Sequence, residues 1–233
     1  MKNKNQSIYY AFLVSANHLK PSIVLNDLLI EKFVSIESTI ILTDSNNGRI
    51  IDFAEKHSIS FYVCLSNNDI KKFLYIIQPK YLISCGWHSI LPGSIIKIPQ
   101  KACLNCHGSL LPDYKGASPF KHYWSNWEKK GGASIHLITD KIDEGHVIVK
   151  DEFGISLPTS PKKILIKTSK LTAELLKTAI KQLENEHKGE IQKGGRYFFK
   201  ISNFKHFLYW LYNGIAVIFN FKRKYTPYKQ ITR

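Results

Sequence analysis

Three side chains in this sequence are of the types that together move an acyl group onto an amine. Residues 105–112 read Asn105-Cys106-His107-Gly108-Ser109-Leu110-Leu111-Pro112, and Ile142-Asp143-Glu144-Gly145 follows downstream. An amide donates to a developing oxyanion, an imidazole carries a mobile proton, and a carboxylate orients or deprotonates it. One residue separates Asn105 from His107. In a strand alternate side chains share a face, so both can address one carbonyl if this segment is a strand. Taken singly, each has a plain structural reading: a satisfied core histidine, an asparagine ending a strand, an aspartate shaping the turn before Gly145. Their conjunction is what points to chemistry.

The elements that must position them alternate in type. Ile8–Ser15, Thr39–Thr43, Ser60–Cys64, Tyr81–Cys85, Leu104–His107 and Gly131–Ile138 are short apolar runs, rich in β-branched or aromatic residues, and are expected as strands. Ile23–Phe33, behind Pro21, together with Ile50–His57 and Ile70–Gln78, has helical character. This alternation predicts an α/β fold with a Rossmann-like, mostly parallel sheet and right-handed crossovers. Such sheets bind ligands beyond the carboxyl ends of their strands, where Leu104–His107 would deliver Asn105 and His107. Lys141–Gly145 reads as the turn after the next strand. Ser160–Glu186 has helical spacing, and 187–200 reads as a loop with a short strand. His136 precedes Asp143 on its strand and faces either the site or the core; His122 and His146 read as surface or packing residues.

The 233 residues, 44% of them hydrophobic, suit one domain over 1–200 and a small aromatic, basic C-terminal elaboration over 201–233. Three of the four cysteines, Cys64, Cys85, Cys103 and Cys106, lie in apolar runs, the pattern of reduced thiols in a cytoplasmic protein. Cys103 and Cys106 form a Cys-x-x-Cys pair, but in a strand and without a second pair. That fits neither a redox helix start nor a closed zinc site, so no metal is expected. The basic, then apolar opening has too short an apolar stretch for a secretory leader and is expected to enter the first strand. No run reaches the ~18 apolar residues needed to span a bilayer. A net charge of +15 favours nucleotides, nucleic acid or anionic lipid as partners, or records only a lysine-rich surface. Phe207–Phe221 is aromatic and apolar, and Lys222-Arg223-Lys224 follows it. It reads as a helix packed on the domain or on a second subunit in a homodimer, or as a segment lying on a membrane surface.

Three stretches resemble the folate-dependent formyltransferase family: LISCGWHSILP at 82–92, NCHGSLLPDYKGASP at 105–119 and GGASIHLITDKIDEGHVI at 131–148. Its members formylate an amine on a glycinamide nucleotide, a methionyl-tRNA or an amino sugar, with 10-formyltetrahydrofolate as co-substrate. The resemblance implies that Asn105 and the imidazolium of His107 hold the oxyanion. It also implies that Asp143 raises the basicity of His107 and accepts the amine proton, with direct transfer and no acyl-enzyme. It implies a pterin pocket formed by Trp87, His88, Ile90, Leu91 and Pro92, with Thr139 and Asp140 as the other wall. Ser109, Leu110, Pro112, Tyr114, Lys115 and Gly116 would then line the place where acceptor and folate meet.

The acceptor is narrowed by departures from the family's branches. Glycinamide-ribonucleotide enzymes resemble one another in a Gly-rich first loop; Val14–Lys20 here has no glycine. Methionyl-tRNA enzymes carry a long C-terminal β-domain, and formyltetrahydrofolate hydrolases an N-terminal regulatory domain; neither is expected here. The Gly86-Trp87 pair and the GRYF run at 195–198 look more like the sugar N-formyltransferases. The expectation is therefore a nucleotide-linked amino sugar used in surface-polysaccharide (O-antigen) synthesis, with folate as partner and no stable nucleic-acid partner. A glycinamide ribonucleotide or methionyl-tRNA formyltransferase is the alternative within the family, the latter kept open by the +15 charge, and a membrane-surface or RNA-binding protein on an inactive formyltransferase fold is the alternative from another class.

Overall fold

The computed structural model describes residues 8–232; residues 1–7 of the basic opening and Arg233 at the end of the C-terminal segment lie outside them. The first half is β1 (Tyr10–Val14), α1 (Leu19–Ile30), β2 (Thr39–Thr43), α2 (Arg49–Lys56), β3 (Ser60–Val63), α3 (Asn67–Ile77), β4 (Tyr81–Ser84), α4 (Gly93–Ile96) and β5 (Ala102–His107). There follow β6 (Lys115–Gly116), α5 (Pro119–Ser125), β7 (Lys130–Leu137), β8 (Val147–Gly154), α6 (Pro161–Glu184), β9 (Gly195–Phe198), α7 (Asn203–Ile218) and β10 (Tyr228–Ile231).

The main sheet has the order β3-β2-β1-β4-β5-β7-β8. Its first five strands are parallel, and β7 and β8 extend it antiparallel. Every residue of β1, β2 and β4 is buried, as expected of central strands covered by helices on both faces. On one face α6 packs on α1 and β7, its Ile164, Leu176, Ala179 and Ile180 side chains buried. The Ser160 hydroxyl caps α6 by accepting from Lys163 N–H. Near its end, Glu184 accepts from Tyr9, Lys80 and Tyr81, fastening the helix to the sheet.

The chain leaves β1 toward β2 on one side, and β4 leads to β5 on the other. This is the switch point at which the carboxyl ends of β1, β4 and β5 open onto a crevice. Over the crevice lies a smaller sheet in the order β10-β9-β6. Residues 201–232 contribute α7, packed on α5, and β10, paired with β9.

Five elements go beyond the sequence expectations: α4, β6, α5, β8 and β10. Each lacks the pattern that marks such elements in sequence. α4 and β6 are too short for a period, α5 makes only two turns, and the edge strands β8 and β10 are mostly exposed beyond β8's first residues.

Candidate functional site

Asn105 and His107 come from the end of β5, and the parallel partner β4 brings Ser84 opposite Asn105. The antiparallel neighbour β7 places His136 opposite Asn105. Asp143 arrives on the turn between β7 and β8 in a left-handed backbone conformation, φ +53°, which a short polar residue tolerates better than most. Two contacts hold that turn. Gln192 Nε2 donates to the carbonyls of Asp143, at 2.9 Å, and Gly145, at 2.7 Å. Gly145 itself lies so close to Leu137 that any Cβ would overlap the Leu137 carbonyl.

Four groups meet at the Asp143 carboxylate. Gly116 N–H donates to Oδ2 at 2.8 Å, and Asn105 Nδ2 donates to Oδ1 at 3.3 Å. His107 Nδ1 lies 3.4 Å and His136 Nε2 3.5 Å from Oδ1. Burial pushes this carboxyl up, but the histidines and the Gly116 N–H outweigh it, so Asp143 is held well below the usual carboxylate range.

The tautomers follow from the remaining partners. His136 Nδ1 lies 2.8 Å from the Leu137 carbonyl and donates to it, which leaves Nε2 to accept from Asn105 Nδ2 at 3.1 Å. His107 Nε2 donates to the Tyr114 carbonyl at 2.9 Å, so a neutral ring carries its lone pair on Nδ1, facing Asp143. Burial lowers the His107 pKa, and the opposing pull of Asp143 does not make up the difference. Burial thus works against the imidazolium that the resemblance implies, and Asp143 works for it. The ring's proton-accepting nitrogen is aimed at a carboxylate that would welcome the charge.

These groups form part of the wall of a cavity of about 480 Å³, of the size that takes a drug-sized ligand. Of the residues named from sequence, Asn105, His107, Asp143, Trp87, His88, Ile90, Leu91, Thr139 and Gly116 line it. The Trp87 indole N–H is buried without a hydrogen-bond partner. Ser15 and His88 meet at 2.6 Å on the rim.

The other expected residues do not line the cavity, for physical reasons. Ser109 is buried, its hydroxyl donating to the carbonyls of Asp113 and Tyr114. Leu110 packs against Gly132, and Pro112 against Gly195. The Tyr114 ring stacks on Phe198 at 4.2 Å, leaving only its carbonyl to the site. Lys115 is buried and reaches back to the Gly194 carbonyl at 3.3 Å. Pro92 caps α4, and Asp140 is exposed away from the cavity.

Several lining residues had no sequence signal of their own. His18 and Lys20 open α1 at the switch point, and the buried Lys20 Nζ donates to the Cys106 carbonyl at 2.6 Å. Burial depresses His18 to about 4. Phe120, Leu165, Thr168, Tyr197 and Lys200 close the side facing the small sheet. The sequence left His136 facing either the site or the core, and its antiparallel register with Asn105 puts it in the site. His122, expected at the surface or in packing, is fully buried, its Nδ1 2.8 Å from the Thr226 hydroxyl. All four cysteines are free and buried, and among the described residues no cluster of three His, Cys, Asp or Glu could hold a metal.

The sequence profile of the family described as formyl transferase matches residues 44–180. A methionyl-tRNA formyltransferase of Thermodesulfovibrio yellowstonii is 34% identical over 125 residues, which are 54% of this chain and 39% of that protein. The chain thus spans about two fifths of that relative's length. In fold it is similar to glycinamide ribonucleotide transformylase 1 of Symbiobacterium toebii, with a TM-score of 0.66 and 15% identity over 79% of this chain and 92% of that one. It is also similar to the N-formyltransferase of Helicobacter canadensis, solved with folinic acid and dTDP-3-aminofucose, with a TM-score of 0.61 and 17% identity over 79% of this chain and 67% of that one.

Proposed function

Because the chain belongs to the formyl transferase family, we propose that it transfers the formyl group of 10-formyltetrahydrofolate to the amine of a nucleotide-linked amino sugar. The observation that carries the reaction is the convergence of Asn105, His107 and His136 on an ionised Asp143 in the cavity wall. The folate supplies an activated formyl carbon. The apolar wall of Trp87, Leu91 and Ile138 suits a planar pterin.

As a neutral amine attacks, charge builds on the formyl oxygen, and an Asn105 N–H turns from its resting partner to that oxygen. The amine proton passes to His107 Nδ1. The imidazolium so formed faces Asp143, whose charge works against the burial that disfavours it. Nε2 stays on the Tyr114 carbonyl throughout, which fixes the ring. The proton then leaves with the departing folate nitrogen. No acyl-enzyme is required.

The acceptor reading rests on the far wall. Phe120 and Tyr197 offer rings for a base, and the exposed Lys200 offers a cation for a diphosphate. The Helicobacter canadensis enzyme, similar in fold and solved with folinic acid and dTDP-3-aminofucose, supports the same reading. The buried free thiols suit a reducing cytoplasm, the place of nucleotide-sugar chemistry. The test is tetrahydrofolate release against a panel of nucleotide-linked amino sugars, glycinamide ribonucleotide and methionyl-tRNA. Turnover with a sugar is expected. Turnover with only the other two would keep the reaction and overturn the acceptor.

A further inference from the structure

Helix α7 is amphipathic in the reverse sense. Its buried face is polar and small: His206, Asn213, Gly214 and Ala216. Asn213 Nδ2 donates to the Ser125 and Lys224 carbonyls at 2.8 Å each, and its Oδ1 accepts from Lys224 N–H at 2.7 Å. His206 Nδ1 lies 2.8 Å from the Ser125 hydroxyl. Gly214 is seated on the Trp127 ring, where a Cβ would approach within 2.7 Å. These contacts fix which face looks out. The helix cannot rotate without breaking buried hydrogen bonds.

The outward face carries Phe204, Leu208, Leu211, Ile215 and Ile218, all exposed, with the exposed Phe207 and Phe219 beside them. The spacing of the first five alternates between four and three, so the side chains form one stripe along the helix. Phe204 is 68%, Ile218 73% and Phe219 72% exposed, where isolated surface apolar residues would need no explanation but a continuous stripe does. Exposed lysines flank both ends: Lys200 and Lys205 at the start, Lys222 and Lys224 past the end. No Asp or Glu occurs after Glu190.

We propose that this stripe docks the protein on an anionic phospholipid surface, with α7 lying in the plane of the interface. Rings and aliphatic side chains enter the acyl boundary while the lysines stay on the headgroups. Charge decides between this occupant and a second copy of the chain. Pairing two copies of an acid-free, lysine-flanked helix sets like charges against each other, whereas anionic lipid complements them. Length decides between lying and spanning. Sixteen helical residues extend about 24 Å, short of a bilayer's apolar core, and among the described residues no helix is long and apolar enough to cross one. The stripe also starts beside the cavity. Tyr197 and Lys200 line it just before α7, and Lys121, next to the lining Phe120, donates to Asn203 at 2.8 Å. Docking therefore brings the catalytic pocket to the membrane surface.

The test is co-sedimentation of the full chain with vesicles of phosphatidylglycerol mixed into phosphatidylcholine, against phosphatidylcholine alone. Binding is expected only to the anionic vesicles and weakens as salt rises. Lys222→Gln and Lys224→Gln should each weaken it about five-fold. The triple variant Leu208→Ser, Leu211→Ser, Ile215→Ser should lose it while keeping the wild-type unfolding midpoint, because all three side chains are exposed. Failure of the wild type to bind anionic vesicles would overturn the proposal. So would a wild-type dimer that the triple variant converts to monomer without any vesicle binding, since a second copy would then cover the stripe. Formyl transfer to a water-soluble acceptor is scored separately and does not bear on either outcome.

Discussion

Replacing Asp143 by asparagine isolates the charge of the site from its shape. The new oxygen can keep the 2.8 Å bond from Gly116 N–H, and the new amide, which can no longer accept the 3.3 Å bond from Asn105 Nδ2, can donate to His107 Nδ1, 3.4 Å away in the wild type. Folding should thus change by no more than about 1 kcal/mol, the net worth of one hydrogen bond. Catalysis should suffer twice. The nitrogen that accepts the amine proton is blocked, and the imidazolium loses the charge that offsets its burial. Loss of a positioned acid–base group lowers the rate about 10²- to 10⁴-fold, or about 3–5 kcal/mol in the barrier. The pH profile adds a sign. In the wild type kcat/KM falls on the acid side, as His107 takes up a proton before substrate does, at a pKa below its usual 6.5. Without Asp143 that pKa drops further, so the acid limb moves to lower pH. The assay is tetrahydrofolate release from pH 5 to 8 beside thermal unfolding. A variant within about tenfold of wild type, or with an unmoved acid limb, would refute the proposed proton path.

Gly145→Ala should lower activity at least as far as a catalytic substitution, because the added methyl overlaps the Leu137 carbonyl and displaces the turn carrying Asp143; a crystal structure of the variant would show the shift. His136→Ala should lower kcat about tenfold with KM for folate unchanged, since Asn105 loses its 3.1 Å partner, and His136→Gln should restore part of it. Acid should destabilise the fold: burial depresses His122 to about 3 and His206 to about 4, so both stay unprotonated where the unfolded chain is charged. Their contribution is intact above about pH 6.5 and is lost as pH falls toward those values, by up to about 1.4 kcal/mol per pH unit for each ring, measurable by urea unfolding at pH 7 and 5. Asn213→Ala should cost about 2–3 kcal/mol by stranding the Ser125 and Lys224 backbone groups, seen as a lower urea midpoint.

Much of the frame was legible because it obeys simple periods. Thr39–Thr43 is a strand with the expected bounds, and the other buried strands fall within a residue or two, since central parallel strands are continuous apolar runs. The pairing of Asn105 with His107 on one strand face was readable from one intervening residue. What escaped depends on long-range placement. His136 joins the site only because β7 runs antiparallel to β5, and Tyr197 and Lys200 only because β9 pairs with β6 over the crevice. The loop residues Ser109, Leu110 and Tyr114 follow His107 in sequence, yet Ser109 turns its hydroxyl to backbone carbonyls, Leu110 packs against Gly132 and the Tyr114 ring stacks on Phe198. The downward push of burial on the His107 pKa comes from the whole fold, which no local pattern of residues reveals.

The most direct test follows isotope from the formyl carbon of 10-formyltetrahydrofolate into an amide on a nucleotide-linked amino sugar, with wild type and His107→Asn side by side. The account predicts labelled amide from the wild type and a loss of at least a hundredfold, order of magnitude, in the variant. Equal labelling by both proteins would contradict it, as would a wild type that binds no folate.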